Sequence, residues 1–107
     1  IGLTIVQDNK FVFANVRTSE IFGYPNEIFS SFSVQDLVNL IHPEDQGKMA
    51  LLLQTGLNGE TEAKRRVRIF TQDNKIRHLE ASFRIVQFKG KPAIHQTFLD
   101  ITDFYNT

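Results

Sequence analysis

The sequence predicts an α+β domain: a five-stranded antiparallel sheet with short helices and one longer helix packed on one face. Three observations carry this. Two short runs rich in Val, Ile and Phe open the chain, Ile1 to Gln7 and Phe11 to Ala14. Helix start and stop signals crowd the middle, from Asn15 to Gly59. Three long runs with apolar residues at alternate positions then follow, from Lys64 to Ile101. At 107 residues the chain is long enough for one core and too short for two.

The first two runs flank Asp8-Asn9-Lys10 and read as a hairpin. Asn15 suits a helix N-cap, because its side chain accepts from a free amide of the first turn. That helix should stop at Gly23-Tyr24-Pro25. Between Asn26 and Leu40, residues Phe29, Phe32, Leu37 and Leu40, with Ile41 just beyond, point to short helical turns that supply apolar anchors. Pro43 fits a first helical position, and Glu44 and Asp45 complement the positive end of the dipole. This start opens the longest helix, which ends near Gly56 to Gly59 and turns Met49, Leu52 and Leu53 inward.

The last three runs pair through loops at Asp73-Asn74-Lys75 and Lys89-Gly90-Lys91-Pro92. These loops set residue 68 against 80, 69 against 79, 84 against 97, 86 against 95 and 88 against 93. One face then holds Val67, Ile69, Leu79, Ala81, Phe83, Ile85, Ile94, Gln96 and Phe98, with Arg65 beside Phe83. That face is the expected core. The other holds charged residues together with Phe70, Val86, Phe88, His95, Leu99 and Ile101.

Composition narrows the function. Lys plus Arg and Asp plus Glu both number 12, so no net field draws nucleic acid, which is not an expected partner. No apolar run is long enough for a membrane span, so no membrane contact is expected. Without cysteine there is no disulfide, thiolate metal site or cysteine nucleophile. A cytoplasmic location is expected, although zero cysteine is equally compatible with a periplasmic domain held by core packing alone. His42, Glu44 and Asp45 form the tightest ionisable cluster, but a helix start explains it and no catalytic residue is assigned. His78 and His95 lie on the outer face without metal-ligand spacing, so no metal site is assigned.

A curved sheet facing short helices leaves room for an apolar cavity. Its expected lining is Leu37, Met49, Leu53, Arg65, Ile69, Leu79, Phe83, Gln96 and Phe98. Gln96 can donate or accept a hydrogen bond there, and Arg65 can offset a carboxylate or phosphate. Alternatively Phe11, Phe13, Phe83 and Phe98 fill the space and no ligand enters.

Asn15, Ile21-Phe22-Gly23-Tyr24, His42-Pro43-Glu44-Asp45 and the closing Asp100-Ile101-Thr102-Asp103 stand in an order that resembles the PAS domain, from about Gly2 to Asp103. The resemblance implies a ligand-sensing and dimerising module over residues 1–103, with 104–107 beginning a linker to an output domain. The implied host is a histidine kinase or a cyclic-dinucleotide enzyme. It also implies signal relay through Asp100 and Thr102. Flavin-binding members carry a reactive cysteine and several amides where this chain has Leu37, Ile69, Leu79 and Phe98, so flavin is not expected. Haem-binding members use a histidine of the long helix; Pro43 to Leu57 has none, which leaves only Met49 or His95, so haem is not expected either. A small organic ligand, or none, remains. The outer apolar residues need a cover, which the resemblance supplies as a second copy in a homodimer. Two rival readings are a small isomerase-like or hydratase-like enzyme and a ligand-free interaction domain.

Overall fold

The computed structural model describes residues 1–57 and 63–105, apart from the side chains of residues 53, 55–57, 63 and 105. Strands β1 (Gly2–Gln7) and β2 (Lys10–Ala14) lead to helices α1 (Val16–Phe22), α2 (Asn26–Phe29) and α3 (Val34–Asn39). A 3₁₀ turn, Pro43–Asp45, runs into α4 (Gln46–Leu57), the longest helix. Strands β3 (Ala63–Phe70), β4 (Ile76–Phe88) and β5 (Lys91–Asp100) follow, and α5 (Thr102–Tyr105) closes the described chain. All strand pairs are antiparallel, in the order β2-β1-β5-β4-β3. The last strand in sequence is therefore the central one. A boundary at residue 103 falls inside α5, and residues 106 and 107 lie outside the described set.

Local chemistry sets the helix ends. Asn15 Oδ1 accepts from the Thr18 amide at 3.1 Å and from the Leu3 amide at 3.0 Å, so the cap of α1 also ties it to β1. Gly23 ends α1 at φ 78°, and Arg77 Nη1 donates to the Ile21 carbonyl at 2.5 Å. Ser33 and Asp36 exchange side-chain and backbone bonds as a capping box on α3. His42 Nδ1 accepts from the Glu44 amide at 3.1 Å and caps the 3₁₀ turn. Gly47 lies in the first turn of α4, and a Cβ built there meets nothing within 4 Å. Gly47→Ala is therefore expected to stabilise the fold by about 0.4–1 kcal/mol, read as a higher urea midpoint.

Strand pairing differs from the sequence expectation by two residues. Arg68 pairs with His78, Ile69 with Arg77, and Arg66 rather than Arg68 faces Glu80. Arg84 pairs with His95, Val86 with Ala93 and Phe88 with Lys91. The turns explain it. The Thr71 amide donates to the Lys75 carbonyl, so the β3–β4 loop turns through Gln72-Asp73-Asn74, one residue earlier than expected, with Asn74 at φ 61°. Lys89-Gly90 alone makes the second turn, with φ 52° and 78°, so Lys91 and Pro92 belong to β5. Asp8-Asn9 likewise suffices for the first, at φ 54° and 63°. An even shift leaves every side chain on its expected face.

A β-bulge does not. Ile5 pairs with Phe13 but Val6 pairs with Phe11, so Val12 is an extra residue. Phe11 packs on the core, whereas Phe13 turns to the outer face and is 46% exposed. The core consists of Ile21, Phe22, Phe29, Leu37, Ile41, Met49 and Leu52 above, with Val67, Ile69, Leu79, Ala81, Phe83 and Phe98 from the sheet. The edge strand β3 is not bare. The His42 amide donates to the Arg68 carbonyl at 2.9 Å and the Phe70 amide to the Leu40 carbonyl at 2.8 Å.

Candidate functional site

A cavity of about 190 Å³ lies between the sheet and the helices. Val6 of β1, Phe83 of β4 and Ile94 and Gln96 of β5 form its floor. Val34, Leu37 and Val38 of α3, Ile41, and Gln46, Met49 and Ala50 of α4 close it from above. Two carboxamides interrupt an otherwise apolar wall. Gln46 Nε2 donates to the Ile41 carbonyl at 3.1 Å. Gln96 Oε1 accepts from Thr4 Oγ1 at 2.7 Å, and both residues are buried.

Four of the nine residues expected to line a cavity do so: Leu37, Met49, Phe83 and Gln96. Ile69, Leu79 and Phe98 are almost fully buried and belong to the packed core beside it. Leu53 sits on α4, but its side chain lies outside the described residues. Arg65 is a correction. It pairs with Ala81, not Phe83, is exposed, and donates from Nη1 to the Lys64 carbonyl at 2.7 Å. Among the described β3 residues the core takes Val67 and Ile69 and stops short of Arg65, whose charge gains hydration there. Sequence reasoning missed Val6, Val34, Val38, Ile41, Gln46, Ala50 and Ile94 as lining residues. Alternation marked Ile94 as inward, but nothing in one sequence tells which inward residues meet space.

The exit of β5 is tied to β4. Asp100 Oδ1 accepts from the Thr102 amide at 2.9 Å and from Thr102 Oγ1 at 2.5 Å. Thr102 Oγ1 in turn accepts from the His78 amide at 3.0 Å, and the Ile101 amide donates to the His78 carbonyl at 2.8 Å. Asp100 and Thr102 thus hold α5 against the strand that pairs with β5.

The outer sheet face is more mixed than expected. Leu99 is 44% exposed and faces Glu80. Val86 stands beside Ala93, and Lys89 Nζ lies 5.5 Å from the centre of the Phe88 ring. Phe70 is half-buried and stacks on His42 with ring centres 5.4 Å apart, so the edge segment partly covers it. Ile101 corrects the expectation: it follows β5 and is buried, lining a groove with Arg66, Leu99 and Phe104. Leu3 and Ile5 pair with Thr97 and His95 and so share this face with Phe13. Partial burial, and then the charge of Arg84, hold the His95 imidazole below its ordinary range.

A five-stranded antiparallel sheet roofed by short helices, with a small cavity beneath them and a tied exit strand, defines the class as an α+β module. The chain belongs to the PAS fold family, which residues 11–98 match. It is similar to the N-terminal domain of a diguanylate cyclase with PAS/PAC sensor from Marinobacter aquaeolei, at 19% identity and TM-score 0.79 over 97% of each chain. It is also similar to a sensory box histidine kinase/response regulator from Burkholderia thailandensis, at 17% identity and TM-score 0.75 over 98% of this chain and 79% of that one. Cycle PAS-B of Drosophila melanogaster, with bound ethylene glycol, gives 14% identity and TM-score 0.76 over 94% and 100%. At these identities the likeness shows the fold. No curated protein matches the sequence closely enough to carry an inference. Among the described residues no helix is long and apolar enough to cross a membrane.

Proposed function

We propose that the domain is a non-catalytic sensor and dimerisation module of a larger signalling protein, a histidine kinase or a cyclic-dinucleotide enzyme. The observation that carries this reading is that one central strand serves both sites: Gln96 of β5 lines the cavity, and Asp100 of β5 anchors the exit. A ligand that binds one arrangement of β5 better than another shifts the population of both. The shift reaches α5 through the bonds of Asp100 and Thr102 to each other and to His78.

The ligand in this reading is a small organic molecule. A cavity of about 190 Å³ is below the roughly 300–1,000 Å³ of pockets that take drug-sized ligands, which supports neither flavin nor haem. An isomerase or hydratase needs an acid or base at the substrate, and no titratable side chain lines this cavity among the described residues. Leu3, Ile5, Phe13, Val86 and Leu99 support a second copy as the cover of the outer face. A neutral His95 among them lowers the cost of burying that face. The chain has no cysteine, which suits a reducing cytoplasm.

Amide NMR spectra recorded while a small ketone is added test the relay. Shifts are expected at cavity residues and at Ile101 to Asp103, and Thr102→Val should remove the second set while sparing the first. Cavity shifts with a silent exit in the unaltered domain would refute the relay.

A further inference from the structure

We propose that the cavity selects a small, neutral, largely apolar molecule bearing one hydrogen-bond acceptor, such as a ketone or ester carbonyl, which the Gln96 carboxamide nitrogen reads. The inference rests on the sensing reading above and narrows it to a ligand class. Gln96 is 4% exposed, and its Oε1 is occupied by the Thr4 hydroxyl at 2.7 Å. Thr4 is fully buried, and with its hydroxyl donating to Oε1 the amide nitrogen is the end left for the cavity that Gln96 lines. The Nε2 donor is left with no protein partner among the described residues.

Among the described residues no fully buried side-chain polar atom lacks a partner, so the Gln96 nitrogen opens onto the cavity, and the site favours whatever brings an acceptor to it. Water can meet the donor, but Leu37, Met49, Phe83 and Ile94 offer it nothing. A carbonyl on a hydrocarbon body satisfies both. Gln46 does not compete as a donor, because its nitrogen donates to the Ile41 carbonyl at 3.1 Å and to the Val38 carbonyl at 3.4 Å. A carboxylate or phosphate is disfavoured, since among the described residues no cationic side chain lines the cavity and the ion would lose its hydration uncompensated. The volume, about 190 Å³, equals that of about six liquid water molecules at roughly 30 Å³ each.

Cyclohexanone, its near-isosteric hydrocarbon methylenecyclohexane, and cyclohexanecarboxylate are suitable probes, titrated into the domain and followed by NMR. The ketone should bind about five- to tenfold more tightly than the hydrocarbon, the fold-change of one net hydrogen bond. The carboxylate should bind most weakly. In Gln96→Leu the ketone and hydrocarbon should become equal. Equal binding in the unaltered domain would overturn the ligand class while leaving a cavity that senses apolar molecules. Failure of all three probes would overturn the sensing reading as well. If Gln96→Leu does not fold, Thr4→Val frees the amide to rotate and should reduce the ketone preference; an unchanged preference would overturn the proposal.

Discussion

Phe98→Ala is expected to lower the free energy of unfolding by about 3–5 kcal/mol, the range for deleting a buried aromatic ring. Phe98 is 1% exposed on the central strand, flanked by Gly2 of β1 and Ala81 of β4. Neither neighbour has a side chain that could move in to fill the gap. Its ring meets Phe22 edge-on at 5.5 Å, and Phe22 stacks on Phe29 at 5.4 Å. Phe29 in turn meets Phe11 and Phe32, so removing one ring loosens a chain of aromatic contacts that joins the sheet to α1 and α2. Phe98 does not line the cavity, so ligand affinity should change less than stability. Urea unfolding reads the loss. A value near 1 kcal/mol, typical of an Ile→Val change, would contradict the packing described.

Asp45→Ala should cost about 2–3 kcal/mol at neutral pH, the scale of a lost buried hydrogen bond to a charged group. The Asp45 carboxylate is buried and accepts from the Arg68 amide at 2.7 Å, from Arg68 Nε at 2.9 Å and from Arg68 Nη2 at 3.0 Å. It thereby fastens the start of α4 to β3, beside the cavity wall. The Arg68 guanidinium holds its carboxyl well below the usual range, outweighing the opposing effect of burial. The folded state thus binds the Asp45 proton less readily than the unfolded state, where the value is about 3.9. This stabilisation is complete above that value and is lost as pH falls toward the folded one. The gap between the unaltered domain and Asp45→Ala should therefore be constant from neutral pH to about 5 and narrow below about 4. Urea titrations across this range check it, and a gap that widens in acid would contradict the account.

The faces of the sheet were legible because alternation survives an even slip. Arg68 was matched to Glu80 instead of His78, yet Ile69, Leu79, Phe83, Gln96 and Phe98 all stand on the inner face. The slips came from turn chemistry: the β3–β4 loop turns through Gln72-Asp73-Asn74 rather than Asp73-Asn74-Lys75, and Lys89-Gly90 makes a two-residue turn where sequence alone also allowed a longer loop through Pro92. Phe13 was illegible for a different reason. Phe11 and Phe13 share parity, and only the bulge at Val12 separates their faces. β1 gave no warning, because Leu3 and Ile5 on one face and Val6 on the other are all apolar. Of the candidate site, Phe83 and Gln96 could be named from strand alternation, and Leu37 and Met49 only as apolar anchors on helical segments with a weaker pattern. Arg65 could not be placed, because parity gives a face and not whether the core extends that far along the strand. Nor could the cover on β3 be read, since the Leu40 to His42 segment pairs through its backbone and carries no strand pattern.

Native mass spectrometry of the purified domain, set against its denatured mass, tests the central claim most directly. The account predicts an added mass of one small neutral molecule per subunit, present as purified or after incubation with excess cyclohexanone, and a two-subunit species. A bare single subunit under both conditions would contradict it.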